Sequence, residues 1–512
     1  MVAEIATKTL PAKAVKVFAR SAAERLWRRL PAALQADLRG LADVFRNGLF
    51  RPAGVKLMTY EVRRQGGKRR LHLRTNPDSS ATLFINAMQT LHLNASAAFL
   101  VRLALEGCPP ERAEKLLRRR FHGAAPTATR AAACQVFEFV ARLKSGAEVC
   151  LCGEAEGVHF VPPFSTTTAA PYKADLALTY ACNNACSHCY NLPRRRANGS
   201  SNSPSGLSAD PACRTLSLSA WCRVLRRLRR IGIPQVIFTG GEPTLFPGLI
   251  DLVREASGLG LTTGLNTNGR RLSDSAFVSA LQAAGLDHVQ ITLHSHLPEL
   301  HNAICGRECF SEVLTGIRNA LSHSLYVLTN TTLTQRNIGA ALSLMDFLHA
   351  LGLRTFALNG IIRSGGGCDF ADALPAETLA PLLNEVRKRA AALGMRFLWY
   401  LPTDYCRFSP LQFDLGLRRC NAGEYSICIE PNGDVLPCQS YYQSVGNILR
   451  DPWERIWHSE LFLRFRRRTA DPAGCGLPEK CWTCSELPLC GGGCPLEHVQ
   501  ERTDSLQSAV RV

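Results

Sequence analysis

Cys182, Cys186 and Cys189 stand at C-x3-C-x2-C spacing in the run Cys182-Asn183-Asn184-Ala185-Cys186-Ser187-His188-Cys189-Tyr190. Three thiolates on so short a loop can hold three corners of a 4Fe-4S cube, because such clusters are held by cysteine thiolates. The fourth iron then receives no cysteine from the loop. An open metal position is what a substrate-binding site needs, in contrast to a closed structural one. A zinc knuckle closed by His188 is the competing reading of the same spacing. The residues just ahead, Asp175 to Tyr180, are mostly apolar and read as a buried strand. That sets the cysteines on a loop at the strand's C-terminal end.

A second stretch, Val236-Ile237-Phe238-Thr239-Gly240-Gly241-Glu242-Pro243-Thr244, reads as a strand ending in a glycine turn. Alone it is an ordinary strand-to-helix turn. Together, the cysteine loop and the Gly-Gly-Glu-Pro turn resemble the radical S-adenosylmethionine (radical SAM) enzymes. The resemblance implies that the open iron chelates the amino and carboxylate groups of S-adenosylmethionine. It also implies that Gly240, Gly241 and Glu242 contribute a turn that hydrogen-bonds the methionine amino group. Glycine suits such a turn because the backbone must approach closely with no side chain in the way.

The same resemblance implies cofactor contacts at other strand ends. His188 stands where the family usually has an aromatic residue near the adenine, with Tyr190 on the other side of Cys189. Thr292 lies where the family often has a serine near the ribose, and Asn330 lies near the end of the next strand. Asn266-Thr267-Asn268-Gly269 follows an earlier one. Members often place an arginine for the cofactor carboxylate where this chain has Cys305, and Arg307 is the candidate to replace it. Cys305 and Cys309, at C-x3-C spacing, could bind metal; buried thiols are the more ordinary reading.

Residues 420–494 hold a second cysteine array. Cys420 opens it, Gly433-Asp434-Val435-Leu436-Pro437-Cys438 follows, and Cys481-Trp482-Thr483-Cys484 and Cys490-Gly491-Gly492-Gly493-Cys494 close it. These spacings resemble the SPASM domain of peptide- and protein-modifying radical enzymes, which carries auxiliary 4Fe-4S clusters. By position, Cys420, Cys428, Cys438 and Cys494 would hold one cluster. Cys481, Cys484 and Cys490 would hold another. The family's last cysteine is missing, since Pro495 to Val512 contains none. The second cluster would then have an open iron, use Cys475 or another ligand, or be absent. A zinc ribbon is the alternative for these spacings.

The elements that position these residues follow from periodicity. Between 174 and 400, strand patterns (235–239, 261–266, 288–293, 325–331, 354–359 and 396–400) alternate with helix patterns (218–231, 246–258, 273–284, 311–322, 337–350 and 376–394). Repeated βα units mean a parallel sheet with crossover helices. The resemblance makes it a partial (β/α)6, TIM-like barrel whose reactive end lies where the strands end. Upstream, strands are expected at 55–62, 68–75 and 81–86, followed by three helices ending near 147. That order makes a small α+β, winged-helix-like unit over 55–150. It resembles peptide-recognition domains that hold a leader peptide along a strand edge. A generic winged helix, packing on the enzyme or binding DNA, shows the same order. Residues 1–50 read as an amphipathic helical segment, 151–173 as a linker, 196–206 as a flexible insertion, and 401–500 as the SPASM-like domain.

The chain has 512 residues, 46% of them apolar and 20% charged, as in globular proteins. No apolar run approaches the roughly 18 residues that span a bilayer. The clustered ones among its 21 cysteines fall in metal-ligand spacings, which fits a reducing cytoplasm. The formal charge of +18 is scattered and has no groove motif beside it. A solvated basic face, attractive to acidic partners, is favoured over a nucleic-acid surface.

The implied activity is reductive cleavage of S-adenosylmethionine to a 5′-deoxyadenosyl radical. That radical would modify a ribosomally made peptide or protein by cross-linking or oxidation. An electron donor such as flavodoxin or ferredoxin is implied as partner. A cofactor-pathway enzyme acting on a small molecule, and a non-catalytic iron–sulfur or zinc module, are the alternatives. No general acid or base is visible in the sequence.

Overall fold

The computed structural model describes residues 55–498, apart from 65–66, 87–88, 122–125, 146–163, 165–167, 193–214 and 324. All of these belong to one compact unit, Val55–Val512. The helical reading of residues 1–50, most of the linker and the insertion at 196–206 lie outside the described residues. Among those described, no helix is long and apolar enough to cross a membrane.

The N-terminal part is a four-stranded antiparallel sheet in the order β1-β2-β3-β4, followed by three helices. The strands are β1 (Lys56–Arg64), β2 (Gly67–Thr75), β3 (Ala81–Ile85) and β4 (Gln89–Leu93). Three strands were expected here, and β4 is the addition. The helices are α1 (Ala95–Leu105), α2 (Pro110–Arg120) and α3 (Pro126–Ser145). Asn94 starts α1 by accepting the Ala97 N–H at 2.9 Å, a side-chain N-cap. Alternation along β2 splits its side chains between two faces. Leu71 and Leu73 pack under the helices with Leu100, Val101, Val136 and Val140. Arg70, His72 and Arg74 face the other way and dock the domain.

That docking is polar and buried. Arg70 pairs with Asp287 at 3.0 Å and donates to Ser257 Oγ at 2.7 Å. His72 Nε2 meets the Gly260 carbonyl at 2.7 Å. Arg74 donates to the Ala170 and Pro171 carbonyls at 2.9 Å and lies over the Phe84 and Tyr172 rings. Ser257, Gly260 and Asp287 all precede strands of the second sheet. The small domain therefore sits at the N-terminal ends of those strands.

The second sheet has nine strands in the order β11-β10-β9-β8-β7-β6-β5-β12-β13. Seven parallel strands, β5 (Lys173–Thr179), β6 (Gln235–Gly240), β7 (Thr262–Thr267), β8 (His288–Thr292), β9 (Tyr326–Thr332), β10 (Thr355–Asn359) and β11 (Arg396–Trp399), form the open barrel. Helices α4 (Leu218–Ile231), α5 (Leu249–Gly258) and α6 (Ser275–Ala284) cross between its first strands. Then come α7 (Pro298–Cys305), which the sequence reading did not anticipate, α8 (Phe310–Ser322), α9 (Ala341–Ala350) and α10 (Ala376–Ala392). Caps mark their ends: Ser217 and Asp274 start α4 and α6, and Gly232 and Gly285 close them in the left-handed region. Val236, Phe238, Leu265, Val289, Ile291, Phe356 and Leu358 join the core beneath these helices. The alternate residues line the concave face. Two further strands, β12 (Ser426–Ile429) and β13 (Val435–Leu436), come from the C-terminal segment. β12 adds in parallel to β5, so the cysteine array is built onto the barrel's own sheet.

Candidate functional site

The loop carrying Cys182, Cys186 and Cys189 leaves the C-terminal end of β5 and is held from three sides. The Ala185 N–H donates to the Cys305 carbonyl at the end of α7, at 2.9 Å. The Gly366 N–H donates to the Cys189 carbonyl at 2.9 Å. Arg270 donates to the Asn183 carbonyl at 2.7 Å and to Asn184 Oδ1 at 3.3 Å, and pairs with Glu312. Arg307, expected near the cofactor carboxylate, is exposed. The guanidinium held against the loop is that of Arg270, close enough to Cys182 to interact electrostatically.

The glycine turn packs directly on this loop. Gly241 and Glu242 donate their N–H groups to the Thr179 and Ala181 carbonyls at 2.7 and 2.8 Å. A Cβ on Gly240 would lie 2.2 Å from the Thr179 carbonyl oxygen, and one on Gly241 would lie 2.4 Å from that of Ala181. Gly240 also has φ +139°. Neither position has room for a side chain, so glycine is demanded by contact as well as by conformation. Glu242 is fully buried. Its Oε1 accepts from Thr244 N, Thr244 Oγ1 and Thr267 Oγ1 at 3.1, 2.6 and 2.7 Å; its Oε2 accepts from Asn268 N at 2.8 Å. Burial raises its pKa, and these donors oppose the rise. The carboxylate thus ties the turn to the end of β7.

The strand ends form a polar cup. Thr292 and Asn330 are neighbours in register on β8 and β9. Asn330 Oδ1 is buried and has no hydrogen-bond partner, and the same holds for Asn359 Oδ1 at the end of β10. The sequence reading missed Asn359, although it ends its strand as Asn330 nearly ends β9. His188 packs edge-on against His294, centroids 5.2 Å apart, and against Phe370 at 5.8 Å. Burial lowers its pKa to about 4, so the ring is neutral, and its Nδ1 has no partner. Tyr190, beyond Cys189, has its phenol pushed up by burial and then by the neighbouring thiols Cys189 and Cys428.

In the C-terminal array, Cys420, Cys438 and Cys494 share one neighbourhood. Burial raises the Cys438 thiol to about 12, with Cys420 the next cause. Burial likewise raises Cys494, followed by Cys420. The buried Arg468 donates to the carbonyls of Cys420 and Gly493 at 2.9 and 3.3 Å and so brings the two ends of the array together. Cys428 lies on β12, fully buried among Ala177, Tyr180 and Leu436, within electrostatic reach of Cys438. Cys481 is raised to about 11 by burial, then by Asp404 and Cys490, and Cys406 is among its neighbours. The strand-to-array segment holding Cys406 wraps Cys490: the Tyr405 N–H donates to Cys490 Sγ at 3.4 Å. Cys475 points elsewhere, with its thiol on the Arg464 carbonyl at 3.1 Å.

Two observations bear on what these residues fit. Ligands of one ion must converge. Among the described residues, the groups of three whose ligand atoms lie within 4.8 Å are Cys186–His294–Cys305 and His301–Cys305–Cys309. The three loop cysteines are not such a group, and His188 belongs to neither. That disfavours a zinc knuckle closed by His188 and suits separate corners of a cube. The unpartnered polar atoms of Asn330, Asn359 and His188 suit a polar ligand in the cup, since buried polar groups are normally satisfied.

Comparison with known proteins agrees. Residues 176–348 match the radical SAM superfamily, and residues 420–485 match an iron–sulfur cluster-binding domain, SPASM. The PqqA peptide cyclase of Streptomyces rochei is 30% identical over 346 residues, 66% of this chain and 87% of that protein. The mycofactocin maturase MftC of Mycolicibacterium smegmatis is 29% identical over 66% of this chain and 81% of its own length. The crystal structure of Streptococcus suis SuiB bound to S-adenosylmethionine has the same fold. Its TM-score is 0.58 at 18% identity, over 82% of this chain and 93% of that one.

Proposed function

The chain belongs to the radical SAM superfamily and carries a SPASM iron–sulfur domain, and from that premise we propose that it is a maturase of a ribosomally made peptide, installing a cross-link or an oxidation. The observation that carries this reading is the kinship with a peptide cyclase along 87% of that relative's length. The N-terminal sheet supports it. Its edge strands β1 and β4 offer the main-chain groups to which an extended peptide adds a strand. The domain division follows: peptide recognition over 55–150, the radical SAM barrel over 174–400, and auxiliary clusters over 401–500.

Cys182, Cys186 and Cys189 would hold a 4Fe-4S cluster, which with S-adenosylmethionine bound would supply one-electron cleavage of a carbon–sulfur bond. The chain's own residues position and shield that chemistry. Gly240 and Gly241 keep the turn close to the loop, and Glu242 ties it to the end of β7. Thr292, Asn330 and Asn359 offer hydroxyl and amide partners to a nucleoside. The neutral His188 ring offers a flat face to adenine. Arg270 brings positive charge to the anionic loop. Cys420, Cys428, Cys438 and Cys494 would hold one auxiliary cluster, and Cys481, Cys484 and Cys490 would hold the other. A flavodoxin- or ferredoxin-class donor supplies the electron.

The test is anaerobic incubation with S-adenosylmethionine, a reductant and a candidate peptide from a short reading frame adjacent to the gene. Mass spectrometry should show loss of two hydrogens from the peptide for a cross-link or a desaturation. Cofactor consumption with an unchanged peptide, and turnover of a small molecule instead, would move the assignment to cofactor biosynthesis.

A further inference from the structure

We propose that Arg270 and Glu312 set the reduction potential of the cluster that Cys182, Cys186 and Cys189 would hold, Arg270 raising it and Glu312 holding it down; the inference rests on that loop being a cluster loop. Arg270 follows β7 in the run Asn266-Thr267-Asn268-Gly269-Arg270, where Gly269, at φ +82°, turns the chain. Its guanidinium Nη1 donates to the Asn183 carbonyl and to Asn184 Oδ1, next to Cys182, and its Nε pairs with Glu312. The Arg270 N–H donates to Asn268 Oδ1 at 3.1 Å, and Asn268 Nδ2 donates to Asn183 Oδ1 at 2.6 Å. Main chain and side chains of one turn thus grip the residues between Cys182 and Cys186.

Reducing a 4Fe-4S cluster by one electron adds one negative charge. A fixed positive charge beside it stabilises the reduced form more than the oxidised one and so raises the potential, which net charge, hydrogen bonding and solvent exposure set. Arginine stays protonated at any working pH, so this charge is constant. Its side chain is 20% exposed, against 43% for Glu312. Solvent therefore screens the carboxylate more than the guanidinium, and the two charges do not cancel at the loop. The guanidinium lies close enough to Cys309 and Cys182 to interact with both thiols.

A plainer account gives both residues structural work alone. Glu312 stands in the first turn of α8, where a carboxylate suits the helix N-terminus. Arg270 fastens a loop. The two accounts part on sign. A clamp is weakened by removing either partner, so both changes would loosen the loop. A charge pair answers with opposite shifts, because one partner is positive and the other negative.

The consequence is a threshold for the electron donor. The donor gives one electron to the cluster before the carbon–sulfur bond breaks, so the cluster's potential fixes the reduced fraction at a given donor potential. For one electron, a tenfold change in the ratio of reduced to oxidised cluster corresponds to about 59 mV. Asn268 also donates its N–H to Glu242 Oε2, so the turn that carries this charge is tied to the glycine turn as well as to the cysteine loop.

Anaerobic redox titration of the reconstituted protein without S-adenosylmethionine, monitored by electron paramagnetic resonance, tests this. The signal to follow is the one absent from the Cys182→Ala/Cys186→Ala/Cys189→Ala variant. Arg270→Gln keeps an N–H donor and loses the charge. It should cut the ratio of reduced to oxidised cluster at a fixed potential about tenfold, a downward shift of about 59 mV. Arg270→Lys keeps the charge and loses the forked contact, and should stay nearer to wild type than Arg270→Gln does. Glu312→Gln should shift the potential upward. Should Arg270→Gln fail to assemble the cluster, the half-exposed Glu312→Gln decides by its sign. Unchanged potentials, shifts of the same sign in Arg270→Gln and Glu312→Gln, or a fall in Arg270→Lys as large as that in Arg270→Gln overturns the proposal. A wild-type protein with no signal that depends on the loop cysteines overturns the cluster reading itself, and this inference with it.

Discussion

Tyr442 donates its hydroxyl to Asn191 Oδ1 at 2.6 Å, and Asn191 Nδ2 donates onward to the Gly240 carbonyl at 2.7 Å. Tyr442 belongs to the cysteine array, Asn191 lies two residues beyond Cys189, and Gly240 opens the glycine turn. Three segments far apart in sequence are joined by two hydrogen bonds. The amide orientation is forced, because a carbonyl oxygen can only accept.

Tyr442→Phe removes the donor and leaves Asn191 Oδ1 unsatisfied in a residue that is 4% exposed. An unsatisfied buried acceptor costs about 1–3 kcal/mol. The variant should melt earlier and show a severalfold higher KM for S-adenosylmethionine at unchanged iron content. A wild-type KM would mean that the array does not help position the turn.

Replacing Cys182, Cys186 and Cys189 together by alanine should abolish formation of 5′-deoxyadenosine while part of the iron remains. The residual iron is that of the C-terminal array, whose thiols share no ligand with the loop. Iron and sulfide analysis alongside product assay checks both halves. Full activity in the triple variant would refute the loop assignment, and an iron-free variant would refute the auxiliary clusters.

Cys406 is the candidate fourth ligand for the cluster of Cys481, Cys484 and Cys490, because its segment wraps Cys490 and its thiol lies near Cys481. Cys406→Ala should lower bound iron by up to about four per chain, one cluster's worth, or alter the electron paramagnetic resonance of one cluster. Cys475→Ala should change neither. The reverse pattern would restore Cys475 as the ligand.

The barrel was legible because its signals are local. Apolar periodicity, the N-caps Ser217 and Asp274 and the C-cap glycines 232 and 285 each mark an element within a few residues. The strand β4 was missed because Gln89 and Thr90 are exposed and polar, so only half of it alternates. The eight-residue α7 was hidden by its short length and by a segment read for chemistry instead. Pairing of β12 with β5 joins residues some 250 apart, and no local pattern encodes it. The same holds for Cys406 beside Cys481 and for Arg270 beside the cysteine loop. His301, Cys305 and Cys309 are regularly spaced, yet only the Gly306 turn shows that their side chains converge.

His72 couples acidity to the docking of the small domain. Burial lowers its pKa from 6.5 to about 4; its Nε2 is committed to Gly260, and its Nδ1 has no acceptor for a second proton. The folded pKa lies below the unfolded one. The stability due to neutral His72 is therefore complete above about pH 6.5 and is lost as pH falls toward 4. The full loss is about 3 kcal/mol, of which about 2 falls between pH 6.5 and 5. His72→Gln cannot titrate, so it should lose about 2 kcal/mol less than wild type between pH 7 and 5. Denaturant unfolding at the two pH values measures this, and equal losses would exclude His72.

Docking also sets a length rule for the peptide. Arg70, His72 and Arg74 fasten the small domain to residues before β6, β7 and β8, at the end of the barrel opposite the cysteine loop. A leader held on β1 or β4 therefore starts a full barrel height from the reacting site. The six residues of β7 span about 17–20 Å, and an extended chain covers about 3.3–3.6 Å per residue. A substrate needs at least about six residues between the gripped segment and the modified one, and more to pass around the barrel. Peptides with that spacer cut below about five residues should bind with unchanged affinity and turn over at least about tenfold more slowly. Affinity in both series should weaken with salt if the leader is acidic, given the chain's +18 charge. Deleting the domain is a poorer test, because it strips Asp287 of its guanidinium partner and bares a buried polar face. If shortened peptides are processed as fast as full-length ones, the leader is not held at the sheet edge.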